Sequence, residues 1–318
     1  MRILRHLPAR GAGPVVLTIG NFDGVHLGHR AMLDLLSGAA RERRLRSCVM
    51  TFEPHPREFF SPDQAPTRLT SLREKLELLA RAGIDQVYVR GFDYDFARIS
   101  AEDFIRGVLL DGLQVRWVLV GDDFRFGARR QGDVAMLRET GLRHGFEVAQ
   151  MQSVSVDGVR VSSTAVRERL ARGDLTGASR LLGRPYSISG RVVRGDGIGK
   201  RLGFPTANVQ MKHNRPPLAG IFVVEVAGLG DEPVEGVASL GVRPTIKAGG
   251  APVLEVNLFD FSREIYGVHP QVRFLHKLRD EEKYADLETL RRQIARDVDD
   301  ARRFFKRRGL SDHRENIA

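Results

Sequence analysis

The stretch GNFDGVHLGHR, residues 20–30, sets two imidazoles three residues apart beside glycines, immediately after the apolar run VVLTI. At that spacing His26 and His29 share one helical face and can both donate hydrogen bonds to a single bound group. The run before them predicts a strand and LGHRAMLDLLSGAARER after them a helix, so the pair stands where free backbone N–H groups and the helix dipole favour a phosphate. Gly24 and Gly28 would let a nucleotide approach the backbone closely. Two plainer uses compete: helix caps or packing groups, and zinc ligation, for which the neighbourhood offers no cysteine and no obvious third ligand. Other phosphate loops fail on spacing. GDGIGKR at 195–201 is one residue short of a Walker loop and ends in Arg, and no GxGxxG dinucleotide pattern occurs.

Elements must place these residues, and the first 150 positions alternate two kinds. Apolar runs at VVLTIG (15–20), SCVMTF (47–52), QVYVRGF (86–92), RWVLVGDDF (116–124) and FEVAQM (146–151) are separated by helical patterns such as TSLREKLELLARAG and SAEDFIRGVLL. That alternation predicts an α/β domain with a doubly wound parallel sheet, whose ligands sit at the carboxyl ends of the strands. From about residue 184 the rhythm changes to short β runs divided by Gly and Pro: YSISGRVVRG, GIFVVEVAG, EGVASLG, VLEVNLFDF and HPQVRFLHKL. These predict a small antiparallel β-barrel, with a last helix, YADLETLRRQIARDVDDARRFFKRRG, ending at Gly309 and packing against it. The boundary is expected near LLGRPY, giving domains at 1–182 and 183–318.

Bulk properties narrow the function classes. A chain of 318 residues with 42% hydrophobic and 28% charged residues has the composition of an ordinary globular protein of two domains. No apolar stretch approaches the roughly 20 residues of a membrane span, and the first 16 residues lack the apolar core of a secretory leader, so a cytoplasmic, membrane-free protein is expected. The only cysteine, Cys48, is expected to be a buried spectator thiol. A net charge of +10 suits an anionic partner. Its densest clusters, RERRLR (41–46) and ARRFFKRRG (301–309), fall at helix ends and come without a nucleic-acid-binding motif, so no nucleic-acid partner is expected.

GNFDGVHLGHR contains the HxGH element of nucleotidylyltransferases, and RVSSTAVRERL (160–170) resembles the partner element, Ser-Ser-Thr with Arg three residues on. With TFEPHP (51–56) and VGDDFRFG (120–127) between them, the first half is similar to the FMN adenylyltransferase module of prokaryotic FAD synthetases. In the second half GDGIGKRLGFPTANV, GVASLGVRPT and LEVNLFDFSREIYG resemble the riboflavin kinase module. The ordered set resembles the bifunctional riboflavin kinase/FMN adenylyltransferase family along nearly the whole chain.

The resemblance implies that riboflavin and ATP give FMN, and that FMN and a second ATP give FAD and pyrophosphate. It implies that His26 and His29 serve the triphosphate with Asn21, Gly24 and Gly28, and that Ser162, Ser163, Thr164 and Arg167 hold the leaving pyrophosphate; Asp123, which follows another strand end, is expected to orient the nucleotide. Phe52, His55, Pro56 and Phe60 become candidates for the flavin ring. In the kinase half it implies Mg²⁺ held by Thr206 and Asn208, a nucleotide flap built on Gly195, Gly199 and Gly203, and Glu255 as the base for a neutral alcohol. Strand alternation sets Leu254, Val256 and Leu258 on one face and Glu255, Asn257 and Phe259 on the other. Three positions depart from the family pattern: Asn257 for the usual His, Ser239 for Asn and Phe222 for Tyr. The expected partners are small molecules, riboflavin, FMN and ATP, with the protein a monomer or weakly self-associating. Competing functions are a single cytidylyl- or adenylyltransferase whose barrel only binds substrate, and a non-enzymatic nucleic-acid-binding or flavin-sensing protein.

Overall fold

The computed structural model describes residues 1–7, 13–195, 197–212, 215–242 and 252–315. Asp196 of GDGIGK and the Arg-Pro-Thr that closes GVASLGVRPT lie outside the described residues. By packing, the chain divides into two units, one of residues 1–66 and 72–163, the other of residues 67–71 and 164–318.

In the first unit the strands are β1 (Arg2–Leu4), β2 (Val15–Ile19), β3 (Arg46–Glu53), β4 (Gln86–Gly91), β5 (Val115–Gly121) and β6 (Glu147–Met151). They form one sheet in the order β1-β4-β3-β2-β5-β6, with every neighbouring pair parallel. Helices α1 (Leu27–Arg43), α2 (Pro56–Phe60), α3 (Leu72–Arg81), α4 (Tyr94–Ala97), α5 (Ala101–Asp103) and α6 (Val134–His144) connect them. A π-helical stretch, Phe104–Gly112, continues α5, and β7 (Ser155–Val156) pairs with β8 (Val159–Arg160). Both faces of the sheet are covered. Val15, Leu17 and Ile19 of β2 enter one apolar cluster, while Val16 enters the other with Leu33 and Leu36 of α1. That double burial is why the parallel strands read as unbroken apolar runs. Chain order reverses about β2, with β3 and β4 on one side and β5 and β6 on the other, so the crevice rule selects the carboxyl ends of β2 and β5.

The second unit begins with α7 (Ser163–Ala171), whose first residue packs with the first unit, and α8 (Leu175–Leu182). Then follow β9 (Tyr186–Val193), α9 (Ile198–Arg201), β10 (Thr206–Met211), β11 (Gly220–Ala227), β12 (Val234–Val242), β13 (Pro252–Leu258), β14 (Gln271–Arg279) and α10 (Leu287–Glu315). The six strands close into an antiparallel barrel in the order β10-β13-β12-β11-β14-β9. Phe222, Phe274, Leu240, Leu254 and Val256 are buried to 1% exposure or less, and the Phe222 and Phe274 rings meet edge to face at 5.2 Å. On the alternate face Ile221, Val223, Val237 and Phe259 pack with Ala301 and Phe305 of α10.

One expectation needed correction. The last helix does not end at Gly309 but runs through it to Glu315. A glycine stops a helix by adopting the left-handed conformation, and Gly309 keeps a negative φ. The charged start of the chain also supplies a short edge strand, β1, alongside β4.

Candidate active site

The loop between β2 and α1 is held in conformations that side chains rarely adopt. Gly24 has φ +81°, and the non-glycine residues Phe22 and Val25 have φ +49° and +38°. A β-branched residue at positive φ is strained, and such strain persists only where packing enforces it; here Phe22 and Val25 are 1% and 2% exposed. His26 caps α1: its Nδ1 accepts the His29 N–H at 3.2 Å. A neutral imidazole accepting at Nδ1 carries its proton on Nε2, so the cap makes Nε2–H the ring's donor. The two imidazoles stack at 3.6 Å between centroids, and Phe22 lies against His29 at 4.9 Å. Gly28 makes room for this stack, since a Cβ there would stand 3.3 Å from the His26 ring. No acidic side chain occupies the first turn of α1, which leaves its positive end for an anion.

Asn21 belongs to the same loop, and its Oδ1 is buried with no hydrogen-bond partner among the described residues. Within the first unit the Ser163 hydroxyl donates to the Asp23 carbonyl at 2.9 Å, joining Ser163 to the GNFDG loop across 140 residues of sequence. Ser162 is half-buried just before it. Asp123 follows β5, the strand beside β2, and is exposed. Thr164 and Arg167 belong to the second unit, where Arg167 Nε donates to the Thr67 carbonyl at 2.6 Å. Sequence reasoning missed Lys75, which is buried with its Nζ 3.5 Å from Thr51 Oγ1, itself bonded to the Asn21 carbonyl at 3.2 Å. A signal was present: Lys75 interrupts the apolar stripe of Leu72, Leu76 and Leu79 on α3.

The flavin candidates gather at the ends of β3 and β4. Phe52 meets Phe92 and Phe96, each at 5.8 Å, and Phe60 meets Phe59 at 5.3 Å and Phe92 at 5.6 Å. Phe60 is 64% exposed and Tyr94 70%. His55 caps α2 reciprocally with Glu58, and Pro56 opens that helix. Phe59, Phe92 and Tyr94 are further members of this aromatic surface, and GFDYDF after β4 was the available signal.

On the barrel, register settles which side chains are neighbours. Asn208 stands opposite Glu255, and Glu255 opposite Ser239; Thr206 stands opposite Asn257. All lie on the face away from the interior, which takes Leu254 and Val256. Asn257 Nδ2 donates to the Pro205 carbonyl at 2.8 Å, tying β13 to the start of β10. The glycines divide their tasks. A Cβ on Gly195 would collide with the Asn208 amide, one on Gly199 would press on Thr206 Oγ1 at 3.0 Å, and Gly203 needs its φ of +88°. The strand thus presents a hydroxyl and an amide, both hard oxygen donors, directly beneath glycine backbone. No group of three or more His, Cys, Asp or Glu placed to hold a metal occurs among the described residues.

An α/β nucleotide-binding domain with HxGH at its central strand end, followed by a closed barrel carrying GFPTAN, defines a two-domain transferase of flavin nucleotides. The family model for FAD synthetase matches residues 10–165 and that for riboflavin kinase residues 182–305. The bifunctional riboflavin kinase/FMN adenylyltransferase of Escherichia coli (strain K12) is 49% identical over 308 residues, 96% of this chain and 98% of that one. Its counterpart in Haemophilus influenzae is 46% identical, covering 91% of this chain and 94% of that one. The chain belongs to the bifunctional riboflavin kinase/FMN adenylyltransferase family. A crystal structure described as a macrolide-efflux protein from Streptococcus pneumoniae matches with a TM-score of 0.78 at 27% identity, over 93% of this chain and 97% of that one. Efflux belongs to that description alone; among the described residues no helix is long and apolar enough to cross a membrane.

Proposed function

We propose that residues 183–318 phosphorylate the 5′-hydroxyl of riboflavin with ATP, and that residues 1–182 transfer the adenylyl group of a second ATP to the resulting FMN, releasing pyrophosphate. The observation that carries this reading is the register that sets Glu255 beside Asn208 on one face of the barrel, beneath the glycine segment. Riboflavin offers a neutral alcohol, so its phosphorylation needs a base, and Glu255 takes that proton. Thr206 and Asn208 would hold Mg²⁺, which supplies charge neutralisation at the ATP phosphates. Gly195, Gly199 and Gly203 let the backbone close on the nucleotide.

Adenylyl transfer is a different problem. The FMN phosphate is already a nucleophile, so the domain supplies alignment and stabilisation of charge. His26 donates through Nε2–H and His29 acts beside it on the triphosphate. Gly24 and Gly28 shape the loop, and Ser162, Ser163, Thr164 and Arg167 receive the pyrophosphate, where a guanidinium binds bidentately. Asn21, in the same loop and with its Oδ1 buried, joins them at the bound ATP. Asp123, an acceptor after the neighbouring strand, orients the nucleotide. Phe52, Pro56 and Phe60 offer the flavin an apolar surface, with His55 at its edge.

The enzyme acts in the cytoplasm as a monomer or weakly associating species on small molecules, without nucleic acid. Against a nucleic-acid partner, arginines of both basic runs already meet carboxylates: Arg43 with Glu147 at 2.7 Å, Arg302 with Asp260 at 2.9 Å and Arg308 with Glu225 at 2.8 Å. The test is direct. Pure protein incubated with riboflavin, ATP and Mg²⁺ should yield FMN and then FAD on chromatography, and chelation of the metal should stop the phosphorylation. Riboflavin recovered unchanged would refute the reading.

A further inference from the structure

Beyond the predicted base, the row of side chains across the barrel face continues away from the nucleotide. Glu255 on β13 has Asn208 of β10 on one side and Ser239 of β12 on the other, and directly opposed residues hold their Cβ atoms about 5 Å apart. The Ser239 hydroxyl donates to Glu281 Oε1 at 3.2 Å. Glu281 follows β14, is exposed and lays its carboxylate across β12. Space is kept for it there: a Cβ on Gly241, two residues along the same face, would collide with that carboxylate. A second carboxylate therefore stands one strand past the base, on the side opposite the glycine segment and the Thr206–Asn208 pair.

The reaction needs two partners at Glu255. The nucleotide takes the β10 side, so the alcohol enters from the β12 side. A flavin carrying a ribityl chain brings further hydroxyls behind the reacting one. Each loses water on binding and needs an acceptor, and a carboxylate can accept from two neighbouring hydroxyls at once. We propose that Glu281 is a specificity residue of the kinase site, accepting hydrogen bonds from the ribityl hydroxyls of riboflavin while the terminal hydroxyl lies at Glu255. Ser239 holds the carboxylate in place, and Gly241 leaves it room. The inference rests on Glu255 marking the phosphorylation site.

Lumiflavin, which has the same ring with a methyl group in place of the ribityl chain, separates this role from a structural one. In the full-length enzyme Glu281→Ala should raise the KM for riboflavin about 10- to 100-fold, the range for losing a hydrogen bond to a charged group. The Ki of lumiflavin against riboflavin phosphorylation, the KM for ATP and the rate of FAD formation from supplied FMN should stay as they are. Gly241→Ala keeps the carboxylate but displaces it, and should reproduce the selective loss. An unchanged riboflavin KM in Glu281→Ala overturns the proposal, as does an equal weakening of riboflavin, lumiflavin and ATP. Full phosphorylation by Glu255→Gln would instead overturn the placement of the site itself, a result separable from either.

Discussion

Replacing His26 by alanine and by asparagine separates two roles carried by one ring. Alanine removes the acceptor that caps α1 at 3.2 Å from the His29 N–H, a loss of about 1 kcal/mol. It also empties the space of an imidazole that is only 6% exposed, which adds on the order of another 1–2 kcal/mol. Asparagine is among the best N-cap residues, so it should restore the cap and recover about 1 kcal/mol, or roughly 2–4 °C in Tm for a unit of this size. It should not restore catalysis, because its amide is shorter than the imidazole and cannot place a donor where Nε2–H stood. Loss of one preorganised donor to a transition state costs on the order of 10²-fold in rate, about 2.7 kcal/mol. FAD formation from FMN and ATP should therefore fall about 10²-fold in both variants, while thermal unfolding distinguishes them. Riboflavin phosphorylation on the same preparations should be unchanged, so FMN accumulates. If the asparagine variant regains its FAD rate together with its Tm, His26 is a cap and nothing more.

Glu255→Gln should lower riboflavin phosphorylation by about 10²- to 10⁴-fold and leave FAD formation from supplied FMN nearly intact; equal loss in both assays would mean misfolding, and no loss in the first would remove Glu255 as the base. A fragment beginning at Gly183 should make FMN but no FAD, and one beginning at Thr164 should melt higher because it retains α8, whose Leu175, Ala178, Leu181 and Leu182 are buried; inactivity of both would refute independent modules. Burial pushes the Cys48 thiol up to about 12 from 9.0. The folded protein should therefore ignore a thiol reagent at pH 8 and present one reactive group when unfolded. The folded thiol keeps its proton to higher pH than the unfolded one, so its contribution to stability is complete below pH 9.0 and is lost as pH rises toward about 12.

What the sequence made legible follows from periodicity. β2 to β6 are parallel strands of a sheet covered on both faces, so they announce themselves as apolar runs, and the period of two on β13 places Glu255 outside the barrel. What stayed hidden depends on partners distant in sequence. β1 is three mostly exposed residues that are a strand only because β4 lies beside them. Lys75 is marked by its break in the stripe of α3, yet its link to Asn21 runs through Thr51, 24 residues away. Glu281 lies in a charged segment with no period at all, and only closure of the barrel brings it over Ser239.

The GNFDG loop shows why its chemistry and its packing cannot be assigned to separate residues. Phe22 and Val25 have the composition of core, and they are core, at 1% and 2% exposure. They are also the loop's two non-glycine positions held at positive φ, a conformation that costs on the order of 1–3 kcal/mol for each such residue. Burying two large apolar side chains offsets that cost, at roughly 1.5–3 kcal/mol apiece. The loop is thus held in a shape its backbone would not choose, and that shape leaves His26 at the mouth of α1 with Nδ1 engaged as the cap. Shaving Phe22 or Val25 should therefore relax the loop and lower adenylyl transfer, although neither side chain offers a group that could take part in it.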